Sequence, residues 1–180
     1  MEALGGKLLI SNASLFDPNF RRTVVLIGHH DDEGAVGVIL NRPLQVSVDE
    51  AVPALADLVT PGDPLFEGGP VQPEAAVVVA EFDDPERASV VALGSIGFLP
   101  EEADTDDLEG IRRARVFAGY AGWGAGQLEA ELREDAWIVV IAQPTDVFHE
   151  DPDRLWDDVL ARLGPAFAMM RTMPPDPSLN

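Results

Sequence analysis

The chain contains no cysteine. Disulfides, thiolate zinc sites, iron–sulfur ligation and a cysteine nucleophile are therefore excluded. Cationic residues are scarce as well. Lys and Arg together number 12 against 32 Asp and Glu, a formal net charge of −20. Binding to a phosphate backbone needs clustered Lys and Arg to displace counterions. The tightest cationic group here is Arg112, Arg113 and Arg115, and neither a helix-turn-helix pattern nor a basic helix is evident. Direct nucleic-acid binding is thus disfavoured. The acidic clusters at Asp31–Glu33, Asp83–Glu86, Glu101–Asp107 and Glu150–Asp153 read as a solvated surface that favours solubility. No apolar run approaches the roughly 18 residues needed to span a bilayer. The opening MEALGGKLLISNA lacks the basic stretch, apolar core and cleavage site of a secretory signal. The expectation is a cytoplasmic protein that does not engage a membrane.

A hydrophobic fraction of 46% over 180 residues suits a globular chain with a substantial core. One domain is expected over 1–173, with 174–180 as a frayed tail. Short runs rich in Val, Ile and Leu predict strands at Lys7–Ser11, Thr23–Gly28, Ala35–Leu40, Ala75–Ala80, Val90–Leu93, Arg115–Tyr120 and Trp137–Ala142. Leu65–Val71 reads as a brief strand broken by a Gly-Gly-Pro bend, and Ser95–Phe98 as a continuation past Gly94. The acidic turn Asp31–Gly34 joins two strands into an antiparallel hairpin. Pro43 then stops the second strand or leaves it at an edge.

Helices are expected at four places. Ser47 and Glu50 form a capping box that opens a helix over Ser47–Leu58, which Pro53 confines to a short or kinked form. Gly126–Glu134 is helical, with Leu128 and Leu132 facing the core. Pro152–Leu163 places Leu155, Trp156, Val159, Leu160 and Leu163 on one side, and a last short helix spans Ala166–Met173. Asp17–Arg22 reads as a turn or one helical turn capped by Asp17, and Glu101–Glu109 as an acidic loop or exposed turn of helix. Strands in hairpin-like runs without regular βαβ alternation give α+β rather than a doubly wound sheet.

Two glycine-punctuated segments, Thr23–Pro43 and Gly119–Leu132, mark the candidate site. Glycine is needed where backbone approaches backbone or ligand closely. Asn41-Arg42-Pro43 ends a strand. Arg42 there either presents its fork of donors to a carboxylate or phosphate, or pairs with one of the many nearby acids. Asn41 either bonds a ligand or locks the turn. The run from Gly119 to Gln127 carries four glycines before a helix. It reads as a tight bend that seats Trp123, with amides left available for hydrogen bonds. It lacks the Lys-Ser/Thr of a P-loop and the βαβ setting of a dinucleotide fingerprint. His29 and His30 beside Asp31, Asp32 and Glu33 suggest a metal, but neighbouring strand residues face opposite ways and do not easily serve one ion. Glu129 and Glu131 qualify as a general acid or base only if partly buried. No serine lies in a G-x-S-x-G elbow.

Taken in order, GKLLIS (6–11), DPNFRRTVVLIGHHDDEGAVGVILNRP (17–43), FEGGPV (66–71), RVFAGYAGWGAGQLEAEL (115–132) and the pattern from Trp137 to Gly164 resemble the bacterial AlgH/YqgE family. The resemblance implies an α+β domain whose bifurcated, mostly antiparallel sheet folds into a pseudo-barrel with helices packed outside. Its members are often labelled transcriptional regulators. It implies no cofactor and no established reaction, and it points to a site at Arg22, Asn41, Arg42, Pro43, Gly68, Gly69, Tyr120, Trp123, Gln127 and Glu129. The expected function is a ligand- or protein-binding regulatory module, taking a small molecule or a protein segment and acting without direct DNA contact. The alternative is a hydrolase or transferase using Glu129 or Glu131 as base.

Overall fold

The β-branched run after Thr23 forms the strand its composition calls for, and the rest of the sheet assembles around it. The computed structural model describes residues 3–12, 20–101 and 108–172. Asp17 with its cap, most of the acidic loop after Glu101 and the 174–180 tail lie outside those residues. The first hairpin is β2 (Val24–Asp31) and β3 (Gly34–Ile39), paired antiparallel from Val25–Ile39 to Asp31–Gly34 with a bulge between Ile27 and His29. On the far side of β2 lies β1 (Lys7–Ser11), followed by β10 (Trp137–Ile141) at the edge.

The other half is organised by β9 (Ile111–Gly124) and β6 (Val71–Phe82). The strand β6 runs antiparallel along Ile111–Tyr120, and β8 (Ile96–Phe98) and β7 (Val90–Leu93) extend the sheet beyond it. Residues Ala121–Gly124 of β9 pair instead with β3. The edge that β6 leaves free takes β5 (Pro64–Glu67), in the single parallel pairing among the described strands, and β5 in turn pairs with β4 (Pro43–Ser47). This fork at β9 is the bifurcation. The ten strands form one mixed, mostly antiparallel sheet that does not close. It curls enough that Leu8 and Leu26 from one half share a core with Val79 and Ile96 from the other. At that seam Gly28 is held against the Phe98 ring, which a Cβ would approach to 2.7 Å.

The helices cover the outside and seal the core. In α4 (Leu155–Arg162) the residues Leu155, Trp156, Val159 and Leu160 are all buried in the shared cluster, as their spacing predicts. Each such side chain contributes about 1.5–3 kcal/mol on burial. Leu128 of α2 (Gln127–Arg133) seals the opposite face of β2 and β3 with Trp123 and Trp137. Ser47 accepts from the amide of Glu50 and starts α1 (Val48–Ala51), a single turn. Pro53 then opens a separate 3-10 turn, Pro53–Leu58, so the expected shortening at the proline is what forms. A 3-10 turn at Pro165–Phe167 leads into α5 (Ala168–Thr172).

Two local expectations change. The stretch Gly119–Gly124 is not a bend. It continues β9 as strand, because glycine lets other backbone cross it: a Cβ on Gly68 would sit 2.2 Å from the carbonyl oxygen of Gly119. Pro43 stands where expected, past the end of β3, and begins β4, a short edge strand paired only with β5 that tolerates its missing N–H. Ser95–Phe98 does not continue β7. Gly94 (φ +56) turns the chain, and β8 returns antiparallel to it. A short helix, α3 (Pro144–Val147), was not expected. Asp146 caps its own turn through the amide of Gln143 and is gripped at both oxygens by Arg162, at 2.9 and 3.0 Å.

Candidate functional site

The ten residues named from the sequence fall into two groups rather than around one groove. Trp123 pairs with Ala35 at the start of β3, whereas Asn41, Arg42 and Pro43 lie past its end. In the group at that end, Asn41 locks the chain. Its Oδ1 accepts from the amide of Val24 at 3.0 Å, and its Nδ2 donates to the carbonyl of Arg22 at 2.9 Å. Arg22 sits at φ +50 and lays its guanidinium over the Trp156 ring, 4.9 Å from the centroid. Arg42 donates to the carbonyl of Arg21 at 3.2 Å and stands 4.0 Å from the Glu67 carboxylate. Gly68 and Gly69 are pressed against the backbone of Gly119 and Tyr120, and the Tyr120 side chain packs on the shared core.

The second group surrounds α2. Glu131 Oε1 accepts from the indole N–H of Trp123 at 3.1 Å and of Trp137 at 2.8 Å, while Oε2 accepts from Gln127 Nε2 at 3.1 Å. Gln127 also accepts from the amide of Gly124 at 3.0 Å. The Phe20 ring lies against both indoles, 6.0 and 5.6 Å between centroids. Here every polar group has a partner, so the corner fixes α2 onto the sheet.

Next to it, His30 and Glu129 form a close pair, Nε2 to Oε1 at 2.6 Å, with the His30 ring buried. The amide of Leu4 donates to His30 Nδ1 at 3.1 Å. That bond assigns the ring proton to Nε2, which donates to the carboxylate. The hydrogen bond from His30 holds the Glu129 carboxyl below its ordinary value, and the helix backbone adds to the effect. Both ring nitrogens are therefore occupied within the protein. The cleft beside the pair, about 410 Å³, also carries Asp31 and Asp32. His29 points to the other face, where it is exposed and bonded to Asp31 at 2.7 Å, in accord with the alternation expected along the strand.

A second cleft, about 260 Å³, opens between β4, β5 and β9, and Pro43 forms part of its wall. Its centre is Arg115. The neighbouring cations on β9 are paired: Arg112 with Asp83 at 2.6 Å and Arg113 with Glu81 at 3.3 Å. Arg115 has Val79 opposite it across the ladder, so no carboxylate comes with the register. Its guanidinium lies over the Phe66 ring at 4.9 Å, and Nη2 donates to the carbonyl of His149. Nη1 is buried and has no hydrogen-bond partner among the described residues. Burial pushes the Arg115 pKa down, with nearby Asp63 partly opposing and Arg113 reinforcing the shift. A desolvated cation with a spare donor can take up an anion.

A family model described as AlgH-like matches residues 8–168. The chain belongs to the AlgH-like family. It is 45% identical to a UPF0301 protein of Streptomyces avermitilis, over the whole of this chain and 97% of that one. With a UPF0301 protein of Mycobacteroides abscessus it shares 40% identity, over 97% of this chain and 87% of that one. Among solved structures, a Corynebacterium diphtheriae protein superposes with a TM-score of 0.85 at 27% identity, covering 96% of this chain and 94% of that one. The solution structure of AlgH from Pseudomonas aeruginosa gives 0.69 at 29% identity, covering 93% of each. The resemblance read from the glycine segments, and the α+β architecture that came with it, are thus found.

Two residues of this AlgH-like chain escaped sequence reasoning as site residues. Arg115 stood only in a cationic cluster, yet of that cluster it alone lines the cleft, beside Ala114 and Val116. His30 was weighed only as a metal ligand. Its Glu129 partner is 99 positions away, which no local spacing reveals.

Proposed function

We propose that this protein is a binding module with a regulatory role, and that its binding site is the cleft between Pro43 and Arg115. The observation that carries this reading is that Arg115 lines the cleft with no carboxylate paired to it among the described residues, while its neighbours Arg112 and Arg113 are both paired. A cation partly removed from water without a counter-charge costs stability, and an anionic group in the cleft offsets that cost. Glu129 and Glu131, the bases of the enzymatic alternative, already hold His30 and two indoles respectively. Those bonds weigh against using either for proton transfer. The net charge of −20 supports regulation through a small molecule or a protein segment, in the cytoplasm and without direct DNA contact. The test is a thermal-shift screen of the intact chain against small anionic and amphoteric metabolites. A compound that stabilises the wild type and leaves Arg115→Met unmoved is the expected result. A screen in which every stabilising compound acts equally on both proteins contradicts the reading.

A further inference from the structure

We propose that the Arg115 cleft takes a free α-amino acid with an apolar side chain, a proposal that rests on the binding reading above and names its ligand class. The cleft carries charges of both signs that are not joined in an ion pair, although Asp63 acts on Arg115 through space. Arg115 lines the cleft as a cation, and Asp63 and Glu150 line it as acids. Among the described residues no ion pair joins Arg115 to either acid. Asp63 Oδ2 accepts only from the amide of Thr60, at 3.0 Å, within its own turn. A ligand carboxylate in the cleft lies against the cationic Arg115 side chain that lines it and gains from its charge, and an ammonium group then faces the two acids. A phosphate or a dicarboxylate meets the same two acids as like charges, and a simple amine meets Arg115 as one. Only a ligand bearing both charges matches both poles.

Size and lining narrow the class. The volume, about 260 Å³, lies below the range of about 300–1,000 Å³ typical of drug-sized ligands, so the occupant is small. Val59, Pro64, Phe66 and Pro152 provide an apolar wall between the charged groups. That wall suits an aliphatic side chain and offers it no polar partner. The bond from Arg115 Nη2 to the carbonyl of His149 fixes the guanidinium before the ligand arrives, which lowers the ordering cost of binding.

The test is calorimetric titration of the full-length protein with L-leucine, N-acetyl-L-leucine, L-leucinamide and inorganic phosphate. L-leucine is expected to bind saturably at one site. The acetylated and amidated compounds, each lacking one charge, are expected to bind about tenfold more weakly or worse. Asp63→Asn keeps an oxygen for the Thr60 amide and so preserves the turn. It is expected to weaken L-leucine about tenfold while leaving N-acetyl-L-leucine unchanged, and Arg115→Met to abolish both. If N-acetyl-L-leucine, which mimics a peptide C-terminus, or phosphate binds as tightly as L-leucine in an Arg115-dependent way, the amino-acid proposal is overturned and the binding reading stands. If L-leucine and every other probe fail to bind, both fall.

Discussion

The corner around Glu131 and the cleft around Arg115 both place an ionisable side chain among aromatic rings, and they treat it in opposite ways. Glu131 has its two oxygens filled by two indoles and a glutamine amide. Arg115 has one nitrogen bound to a carbonyl and another buried without a hydrogen-bond partner among the described residues. A network satisfied internally holds structure together and has little left for a ligand. A donor kept dry and unpartnered adds nothing to the fold, so its place is better explained by what it receives. The comparison separates the residues that glue α2 to the sheet from those that face a guest.

The largest expected effect is at the satisfied corner. Glu131→Ala leaves the buried indole N–H groups of Trp123 and Trp137 without their acceptor. Each is expected to cost about 1–3 kcal/mol, read as a fall in the urea unfolding free energy and a blue shift or broadening of tryptophan emission. Glu131→Gln retains one acceptor and should lose clearly less. Equal losses for the two variants would break the assignment of Glu131 as an indole acceptor. The next effect is at the strand end. Asn41→Ala removes one acceptor and one donor that tie β3 to the start of β2, and is expected to cost about 1–3 kcal/mol in the same measurement. A cost near zero together with a lost ligand response would move Asn41 from the structural side to the binding side.

Glu129 supplies a smaller effect with a sign. Its folded-state pKa lies below the ordinary 4.5 because His30 donates to it. The unfolded chain therefore binds the proton more readily, and the carboxylate contributes stability that is complete above the ordinary value. That contribution declines as pH falls through the lower folded-state value. Glu129→Gln should accordingly be less stable than wild type at neutral pH, and the gap should narrow in acid. A gap that stays constant from neutral to strongly acidic buffer would show that the ionised form of Glu129 does not matter.

Much of the fold was legible because it rests on local pattern. The β-branched runs gave the strands, the Ser47–Glu50 spacing gave the start of α1, and the apolar stripe from Leu155 to Leu160 gave the buried face of α4. What local pattern misled on was glycine. Gly119 and its neighbours were read as a bend, because dense glycine signals both turning and close approach, and only the passage of Gly68 and Gly69 against the backbone of Gly119 and Tyr120 decides between them. Pro43 was read as a stop or an edge position because its missing N–H forbids a central strand, and it follows the end of β3 and begins the edge strand β4. The candidate site was less legible for a related reason. Asn41 and Glu131 are recognisable as polar residues near glycines, but their partners arrive from β2 and β10. The loneliness of Arg115 is a property of register: Glu81 faces Arg113, and one pleat further along the ladder Val79 faces Arg115.

The central claim is that Arg115 is maintained for a ligand rather than for the fold, and the unfolding free energy of Arg115→Met without added ligand tests it most directly. Replacing a desolvated, incompletely paired cation by an apolar side chain of similar length is expected to leave stability within about 1 kcal/mol of wild type, or to raise it. A loss well beyond that, in a variant that otherwise keeps the native circular dichroism spectrum, would show Arg115 to be part of the structural framework and would contradict the account.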